Sequence, residues 1–203
     1  MRIVTANQLQ LWLDQSEVLE KDGRGPKVLR LQEGQLLKIF RPRRRIWLAR
    51  LKPQAERFGI NATRLKSLGI PAPQVSENLW IDPGSAVSAC LYSPLAGESI
   101  DKLYYRDRAT FEAQLRELAA FVSELHAKGV YFRSLHLGNI LRLPEGCYGL
   151  IDFLDIRFKR SALSPRLVRR NLMHLHSYLQ RSKITDFPWA AFNDAYLQST
   201  VAR

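Results

Sequence analysis

The sequence has little cysteine, few acidic residues and no long apolar run, and each shortage excludes a class of protein. Cys90 and Cys147 are the only cysteines among 203 residues, and both lie in apolar runs typical of strands, which argues against a disulfide-stapled secreted scaffold. Two cysteines and four scattered histidines provide no zinc-type spacing. No apolar run approaches the ~20 residues of a membrane span. The first residues, MRIVTANQLQ, lack a signal-peptide pattern, so the sequence predicts a cytoplasmic protein.

The shortage of acidic residues leaves a strong positive balance. The chain has 31 Lys and Arg residues against 19 Asp and Glu, a net charge of +12, which predicts an anionic partner. The cations cluster at 41–45 and 157–170. Neither cluster has the interleaved aromatic residues of a single-strand-binding surface, and no DNA-reading motif is recognisable. The sequence favours peripheral contact with the acidic inner face of a membrane, or a phosphorylated glycolipid, over nucleic acid. The alternative that these cations only keep a solvated surface soluble stays open.

The first half of the chain is rich in strand patterns. From Ser16 to Phe40 three strands alternate with the turns DGRGP and EG. Apolar residues at helical spacing predict a helix from Pro53 to Leu68, which Gly69 ends. Short strands are predicted near Gln74–Glu77, Leu79–Ile81 and Ala86–Tyr92.

The second half is mainly helical and carries one hairpin. Helical periodicity predicts a helix over Thr110–Lys128, and NILRL–PEG–CYGLIDF predicts two strands joined by a tight turn. Two further helices are predicted near Arg166–Gln180 and Pro188–Thr200. No internal repeat is present.

Three phrases, LGIPAP, LYSPLAGESI and LHAKGVYFRSLHLGNIL, are similar to those of bacterial lipopolysaccharide kinases and their aminoglycoside-kinase relatives. Over roughly Ser16 to Leu179 the element order resembles the protein-kinase-like fold. Within it, the chain resembles the group that phosphorylates heptose or 3-deoxy-manno-octulosonic acid in the lipopolysaccharide core. This resemblance implies an α+β, two-lobed fold. Residues 1–93 would form a small β-rich, nucleotide-binding N-lobe, and residues 94–203 a reduced helical C-lobe with the catalytic hairpin.

Asn139 and Asp152 are the candidate metal ligands. Asn139 lies five residues beyond the slot of the catalytic aspartate, as the kinase pattern requires, and Asp152 ends the second strand of the hairpin. The turn between the strands brings the amide and the carboxylate to one end of the hairpin. Such hard oxygen ligands suit Mg²⁺ bound together with the phosphates of ATP. The alternative is that both residues only form turns.

The resemblance implies further nucleotide contacts in the first half. Lys38, in LLKIF, takes the place of the lysine that pairs with the α- and β-phosphates, unless it only points outward from an edge strand. Gly23 and Gly25 would allow close backbone approach to phosphates. Tyr92 to Leu95 would meet adenine, with hydrogen bonds from the neighbours of Pro94, which has no N–H.

Two positions depart from the family pattern. The helix glutamate that pairs with the lysine would fall near Phe58, but the nearest acid is Glu56, about 200° away around a helix. Ser134 stands where the catalytic aspartate belongs. A serine hydroxyl can orient the attacking group but cannot act as a base near neutral pH. His136 is the candidate substitute, and Asp155 is a second nearby acid that could equally cap the next segment.

Three hypotheses therefore remain open. The first is an ATP- and Mg²⁺-dependent kinase that phosphorylates a sugar of the lipopolysaccharide core, an anionic glycolipid acceptor. The second is a pseudokinase that binds nucleotide or a partner in envelope biosynthesis. The third is a nucleic-acid-associated protein with a borrowed fold. Ser134 leaves the choice between the first two undecided.

Overall fold

The computed structural model describes residues 1–201 and divides into two compact units, Met1–Leu95 and a second unit from Ala96 onward. This architecture confirms the predicted α+β class and the two-lobed kinase-like fold. Each unit has its own sheets and helices, and we describe them in turn.

The first unit is built on a six-stranded sheet in the order β1-β5-β6-β4-β3-β2. Strand β1 runs parallel to β5, and every other pair is antiparallel. The strands are β1 (Arg2–Ile3), β2 (Glu17–Asp22), β3 (Gly25–Arg30), β4 (Leu36–Phe40), β5 (Gln74–Asp82) and β6 (Val87–Ser93), and the helices are α1 (Ala6–Gln15), α2 (Ile46–Leu51) and α3 (Gln54–Ser67).

The sheet buries side chains against helices of the first unit. Leu9, Trp12 and Leu13 of α1 pack against the core cluster of the sheet. Helix α3 buries the apolar stripe predicted from its spacing, and it ends at Gly69, whose φ of +68° favours glycine. The prediction of two short strands before Ala86 was wrong: β5 is continuous, and shifts of register after Val75 and before Asp82 absorb its irregularities.

The second unit combines small sheets with five helices among the described residues. Its helices are α4 (Ile100–Arg106), α5 (Arg108–Ala113), α6 (Leu115–Ala127), α7 (Pro165–Arg181) and α8 (Trp189–Val201), and its strands are β7 (Glu98–Ser99), β8 (Val130–Phe132), β9 (Ile140–Arg142), β10 (Tyr148–Leu150) and β11 (Ile156–Phe158). The predicted hairpin is confirmed as β9 paired antiparallel with β10.

The helix predicted over Thr110–Lys128 is divided in two. Gln114 leaves helical geometry with φ −98° and ψ 3°, and it separates α5 from α6. Asp107 fixes the earlier start of α5, because its carboxylate accepts hydrogen bonds from the Thr110 amide at 3.0 Å and the Thr110 hydroxyl at 2.6 Å. Both cysteines are free, as the sequence predicts. Among residues 1–201, no helix combines the length and apolarity needed to cross a membrane.

Candidate functional site

The loop after β8 carries Ser134, and a buried hydrogen-bond network holds the start of this loop. Asn171 of α7 donates a hydrogen bond from Nδ2 to the Phe132 carbonyl at 2.5 Å, and its Oδ1 accepts from the Phe132 amide at 3.3 Å. The same Oδ1 lies 3.2 Å from Nε2 of His126, whose Nδ1 lies 2.8 Å from the Tyr196 hydroxyl. Burial lowers the pKa of His126 to about 4, so the ring is neutral and the network carries no charge. The backbone that leads into Ser134 is therefore held rigidly.

A carboxylate lies directly against Ser134. The Ser134 hydroxyl donates to Oδ2 of Asp155 at 2.7 Å, and the Ser134 amide contacts Oδ1 at 3.4 Å. Strand pairing produces this contact, because β11 runs antiparallel to β8 with Ile156 opposite Phe132. Ser134 thus contacts the carboxylate of a residue 21 positions further along the chain.

Asn139 and Asp152 are brought together by the backbone of the hairpin. The Ile151 amide donates to the Asn139 carbonyl at 3.0 Å, which places Asp152 one residue from this contact. The Asn139 side chain donates from Nδ2 to the Ser134 carbonyl at 3.0 Å, so its oxygen is the atom suited to ligate a cation. Asp152 has a φ of +50°, a left-handed conformation that is uncommon outside glycine and that occurs at functional sites.

His136 lies on the same loop, stacked on an aromatic ring. Its imidazole is nearly parallel to the Tyr178 ring, with centroids 4.4 Å apart and an angle of 14°. Its Nδ1 is buried and has no hydrogen-bond partner among the described residues. Burial lowers the pKa of His136, and the carboxylates of Asp101 and Asp152 oppose that shift. The ring is therefore a neutral group that can accept a proton.

Gly138 allows Asp101 to approach this loop. A Cβ atom at position 138 would lie 2.8 Å from Oδ2 of Asp101 and 3.3 Å from Nδ1 of His136. Asp101 also accepts hydrogen bonds from the Ser99 hydroxyl at 2.6 Å and the Lys102 amide at 2.8 Å. Carboxylate, imidazole and Gly138 backbone thus form one compact polar group in the second unit.

In the first unit, Lys38 is buried in the middle of the sheet. Strand β4 lies between β3 and β6, and the side chain of Lys38 is only 6% exposed. This placement excludes the alternative that Lys38 points outward from an edge strand. Its Nζ lies 5.6 Å from the centroid of the Phe58 ring of α3. Lysine is rarely buried to this extent, so the position is typical of a lysine with a specific role.

Helix α3 does not turn an acidic residue toward the sheet at the expected position. Phe58 is buried, whereas Glu56 is exposed, so the role of Glu56 as a partner of Lys38 stays a prediction. Three residues after Phe58, Asn61 is the polar side chain that α3 buries. Sequence reasoning missed Asn61, although its spacing from Phe58 places it on the same helix face.

The remaining predicted nucleotide residues are spread over three places in the first unit. Gly23 lies in the β2–β3 turn, where a Cβ would meet no atom within 4 Å, and Gly25, with a φ of +106°, is the first residue of β3. Tyr92 is buried near the end of β6. Leu95 lines a cavity of about 650 Å³ that is otherwise formed by α3, β5 and the loop between them. None of the other predicted site residues lines this cavity.

Comparison with known families shows the class of protein to which the chain belongs. Residues 15–196 match the model of the lipopolysaccharide kinase (Kdo/WaaP) family. The chain belongs to this family. Among curated proteins no match was found. Membership in the lipopolysaccharide kinase family supports a phosphotransferase that uses ATP and acts on the lipopolysaccharide core. The resemblance predicted from the sequence is confirmed.

Kinases of this kind usually need a divalent cation, and Asn139 and Asp152 fit one. The Ile151 amide bonds to the Asn139 carbonyl, so the two residues are close along the backbone, and their amide and carboxylate groups offer the hard oxygen atoms that Mg²⁺ prefers. Within residues 1–201 no group of three or more His, Cys, Asp or Glu side chains could hold a metal. A lipopolysaccharide kinase does not require such a group, because phosphates and waters supply the other ligands of Mg²⁺.

Sequence reasoning missed Asp101 and Tyr178, which approach His136 from α4 and α7. Tyr178 lies in a predicted helix and Asp101 in no predicted element, and no spacing links either residue to the loop that carries His136. The tight contact at Gly138 is the one local signal, because a glycine next to a catalytic loop often marks close approach by another group.

Proposed function

We propose that this lipopolysaccharide kinase is an active enzyme that transfers the γ-phosphoryl group of ATP to a sugar hydroxyl of the lipopolysaccharide core. The observation that carries the proposal is the hydrogen bond between Ser134 and Asp155. The Asp155 carboxylate lies against position 134, with the serine hydroxyl donating to it. A carboxylate at this position is what a proton-accepting site needs.

The chemistry of these two side chains suits proton removal. Because the Ser134 hydroxyl donates its hydrogen to Asp155, its oxygen lone pairs are free to accept from an incoming sugar hydroxyl. As the sugar oxygen bonds to the γ-phosphorus and ADP leaves, the sugar proton passes to the serine oxygen and the serine proton passes to Asp155. Asp155 would then be the general base, and Ser134 would connect it to the acceptor.

We propose roles for the other residues on chemical grounds. Lys38 would neutralise the phosphates of ATP, and the glycines of the β2–β3 turn would let backbone amides approach them. Tyr92 to Leu95 would contact adenine. Asn139 and Asp152 would hold Mg²⁺, which supplies positive charge where negative charge develops during phosphoryl transfer.

His136 would face the acceptor sugar. Its stacking on Tyr178 fixes the ring plane, and its buried Nδ1 lies near the Asp101 carboxylate. A neutral imidazole flanked by a carboxylate suits hydrogen bonding to sugar hydroxyls. It is also the second candidate for the general base, because burial keeps it unprotonated.

A pseudokinase that binds nucleotide or a partner in envelope biosynthesis is the second candidate function. The exposure of Glu56 and the presence of Phe58 at the expected glutamate position favour it. In kinases the ion pair between that glutamate and the lysine holds the lysine in its active position. Asn61, an uncharged residue on the buried face of α3, would have to provide this support in an active enzyme.

We place the protein in the cytoplasm, in peripheral contact with the inner membrane, where a lipopolysaccharide precursor is presented. The net charge of +12 supports an anionic acceptor and an acidic membrane face, and it gives no specific support for nucleic acid.

The deciding experiment follows transfer of labelled γ-phosphate from ATP to purified lipopolysaccharide core in the presence of Mg²⁺. We expect transfer by the wild-type protein and its loss in Asp152→Ala. ATP binding without transfer would favour the pseudokinase. Absence of ATP binding in both proteins would exclude the nucleotide site itself.

A further inference from the structure

Helix α2 exposes the side chains that a short surface helix normally buries. Trp47 is 66% exposed, Leu51 is 72% exposed and Ile46 is 45% exposed, and no residue of the helix is buried. These three belong to the segment 41–52, which we call the α2 segment. Large apolar side chains grouped on a surface mark a site of interaction, whereas single ones need no explanation.

The exposed residues of α2 share one face. Trp47 and Leu51 are four residues apart, as are Ile46 and Arg50, so the two pairs lie side by side on the helix surface. The half-buried Leu48 and Ala49 occupy the opposite face. The solvent-facing side of the helix therefore carries large apolar side chains, which a surface helix usually turns toward the core.

Three hydrogen bonds hold the α2 segment to the sheet. Arg41 donates to the Pro26 carbonyl at 2.7 Å, Arg24 donates to the Pro42 carbonyl at 3.4 Å, and Arg50 donates to the Pro83 carbonyl at 3.0 Å. These contacts tie both ends of the segment to strands or turns of the first unit. The apolar face is thus presented from a fixed position.

Cations surround this apolar face. Arg43, Arg44, Arg45 and Lys52 are exposed, and they form no ion pair with the described residues. Residues 41–55 contain no acid. Glu56 is exposed in the first turn of α3. The pKa of Asp82 is lowered chiefly by hydrogen bonds to Ser85, with a smaller contribution from the Arg50 charge.

We propose that the α2 segment docks the protein on an anionic phospholipid bilayer. Trp47 and Leu51 would enter the boundary between headgroups and acyl chains, and the arginines would contact lipid phosphates. Tryptophan and leucine on one side, with Arg and Lys at the rim, are the composition of interfacial membrane helices. The charge argues against an apolar protein groove as the occupant, because four unpaired cations around such a groove would lose hydration without gaining anions.

The proposal rests on the inner-membrane location proposed above and specifies the surface that makes the contact. It is independent of phosphoryl transfer. Docking through α2 would keep the enzyme at the surface on which its acceptor lies, so diffusion would be confined to the plane of the membrane.

Cosedimentation of the full chain with phosphatidylglycerol-containing vesicles tests the proposal, with phosphatidylcholine vesicles for comparison. Wild-type protein should bind the anionic vesicles. Trp47→Ala/Leu51→Ala should reduce partitioning by at least ~10-fold, since each side chain loses several buried CH₂ equivalents. The matched control is Tyr105→Ala/Leu197→Ala, which removes equally exposed side chains (67% and 61%) from the second unit and should change nothing.

A charge series separates docking from general attraction. Arg43→Gln/Arg44→Gln/Arg45→Gln should weaken binding roughly 100-fold, at about fivefold for each arginine near the surface. Arg166→Gln/Arg169→Gln/Arg170→Gln removes the same charge from the other basic cluster and should have a much smaller effect. Equal losses in the two triple variants, or unchanged binding by the Trp47/Leu51 variant, would overturn the proposal.

Phosphate transfer to a soluble core oligosaccharide, measured on the same preparations, keeps the two proposals distinguishable. Lost vesicle binding with intact transfer in the α2 variants would support docking by this segment. Transfer that is absent in every preparation would count against the kinase alone, and the vesicle results would still decide the docking.

Discussion

Replacing Asp155 by Asn keeps the size of the side chain and removes the charge that the Ser134 hydroxyl contacts at 2.7 Å. If Asp155 is the general base, turnover should fall by ~10²–10⁴-fold, the usual contribution of general-base catalysis. This corresponds to about 3–5 kcal/mol of transition-state stabilisation. The Asn139–Ile151 contact is separate from this bond, so ATP and Mg²⁺ binding should persist.

A structural role for Asp155 would give a different pattern. Loss of a hydrogen bond to a charged group costs about 1.5–3 kcal/mol of folding stability, and it would lower the melting temperature while leaving kcat of the folded enzyme nearly unchanged. The assay is therefore steady-state transfer of labelled phosphate with separate kcat and KM values, together with thermal unfolding. A kcat of Asp155→Asn within a few-fold of wild type would refute the assignment of Asp155 as base.

Two companion variants resolve how Ser134 takes part. If protons pass through the hydroxyl, Ser134→Ala and Asp155→Asn should each cost about as much as the two together, as expected for residues that act as a unit. Ser134→Asp alone would place two carboxylates in contact, and their repulsion should offset any gain. In the Asp155→Asn background the same substitution should restore turnover, because one carboxylate again occupies the site.

Two other predictions concern the second unit. Asp152→Ala should abolish the Mg²⁺-dependent part of the rise in melting temperature caused by ATP, because a ligand stabilises only the state that binds it; an unchanged rise would remove Asp152 from the metal site. The pKa of His126 falls from 6.5 to about 4 on folding, so the unfolded chain takes up the proton first as the pH falls below 6.5. The free energy of unfolding should be full above pH 6.5 and decline toward pH 4 by about 3 kcal/mol. Urea unfolding at several pH values should show that this free energy depends less on pH in His126→Gln.

Local patterns predicted the elements that depend on local chemistry. The strands β2, β3 and β4 follow from apolar runs separated by glycine turns, and the PEG turn predicts the β9–β10 hairpin. The closeness of residues 139 and 151 follows for the same reason, because a hairpin converts a fixed spacing in sequence into proximity. The assignment of Asn139 and Asp152 as metal ligands stays a prediction.

Helix α2 could not be predicted in this way. Sequence methods recognise a surface helix by an apolar stripe that faces the core, but the apolar side chains of α2 face solvent. Its helical start is also unmarked, since Arg45 caps it in a left-handed conformation with a φ of +54° and makes no side-chain bond. The solvent-facing apolar side chains that made α2 unpredictable from the sequence are also the observation behind its proposed docking role.

The contact between Ser134 and Asp155 required the long-range pairing of β8 with β11. The sequence shows a serine at position 134 and offers Asp155 only as a nearby acid that could equally cap the next segment, which leaves kinase and pseudokinase undecided. The antiparallel register, with Phe132 opposite Ile156, brings the Asp155 carboxylate into contact with Ser134. Proton removal during phosphoryl transfer depends on where the carboxylate lies relative to the acceptor hydroxyl. The position in the sequence of the residue that carries the carboxylate does not matter. A serine in the aspartate slot is therefore insufficient evidence for lost activity when the opposite strand offers an acid within hydrogen-bonding distance. Restored turnover in Ser134→Asp/Asp155→Asn would show that the carboxylate at this site matters for catalysis. Failure of that double variant, in a protein that still binds ATP, would show that the site lacks more than its base.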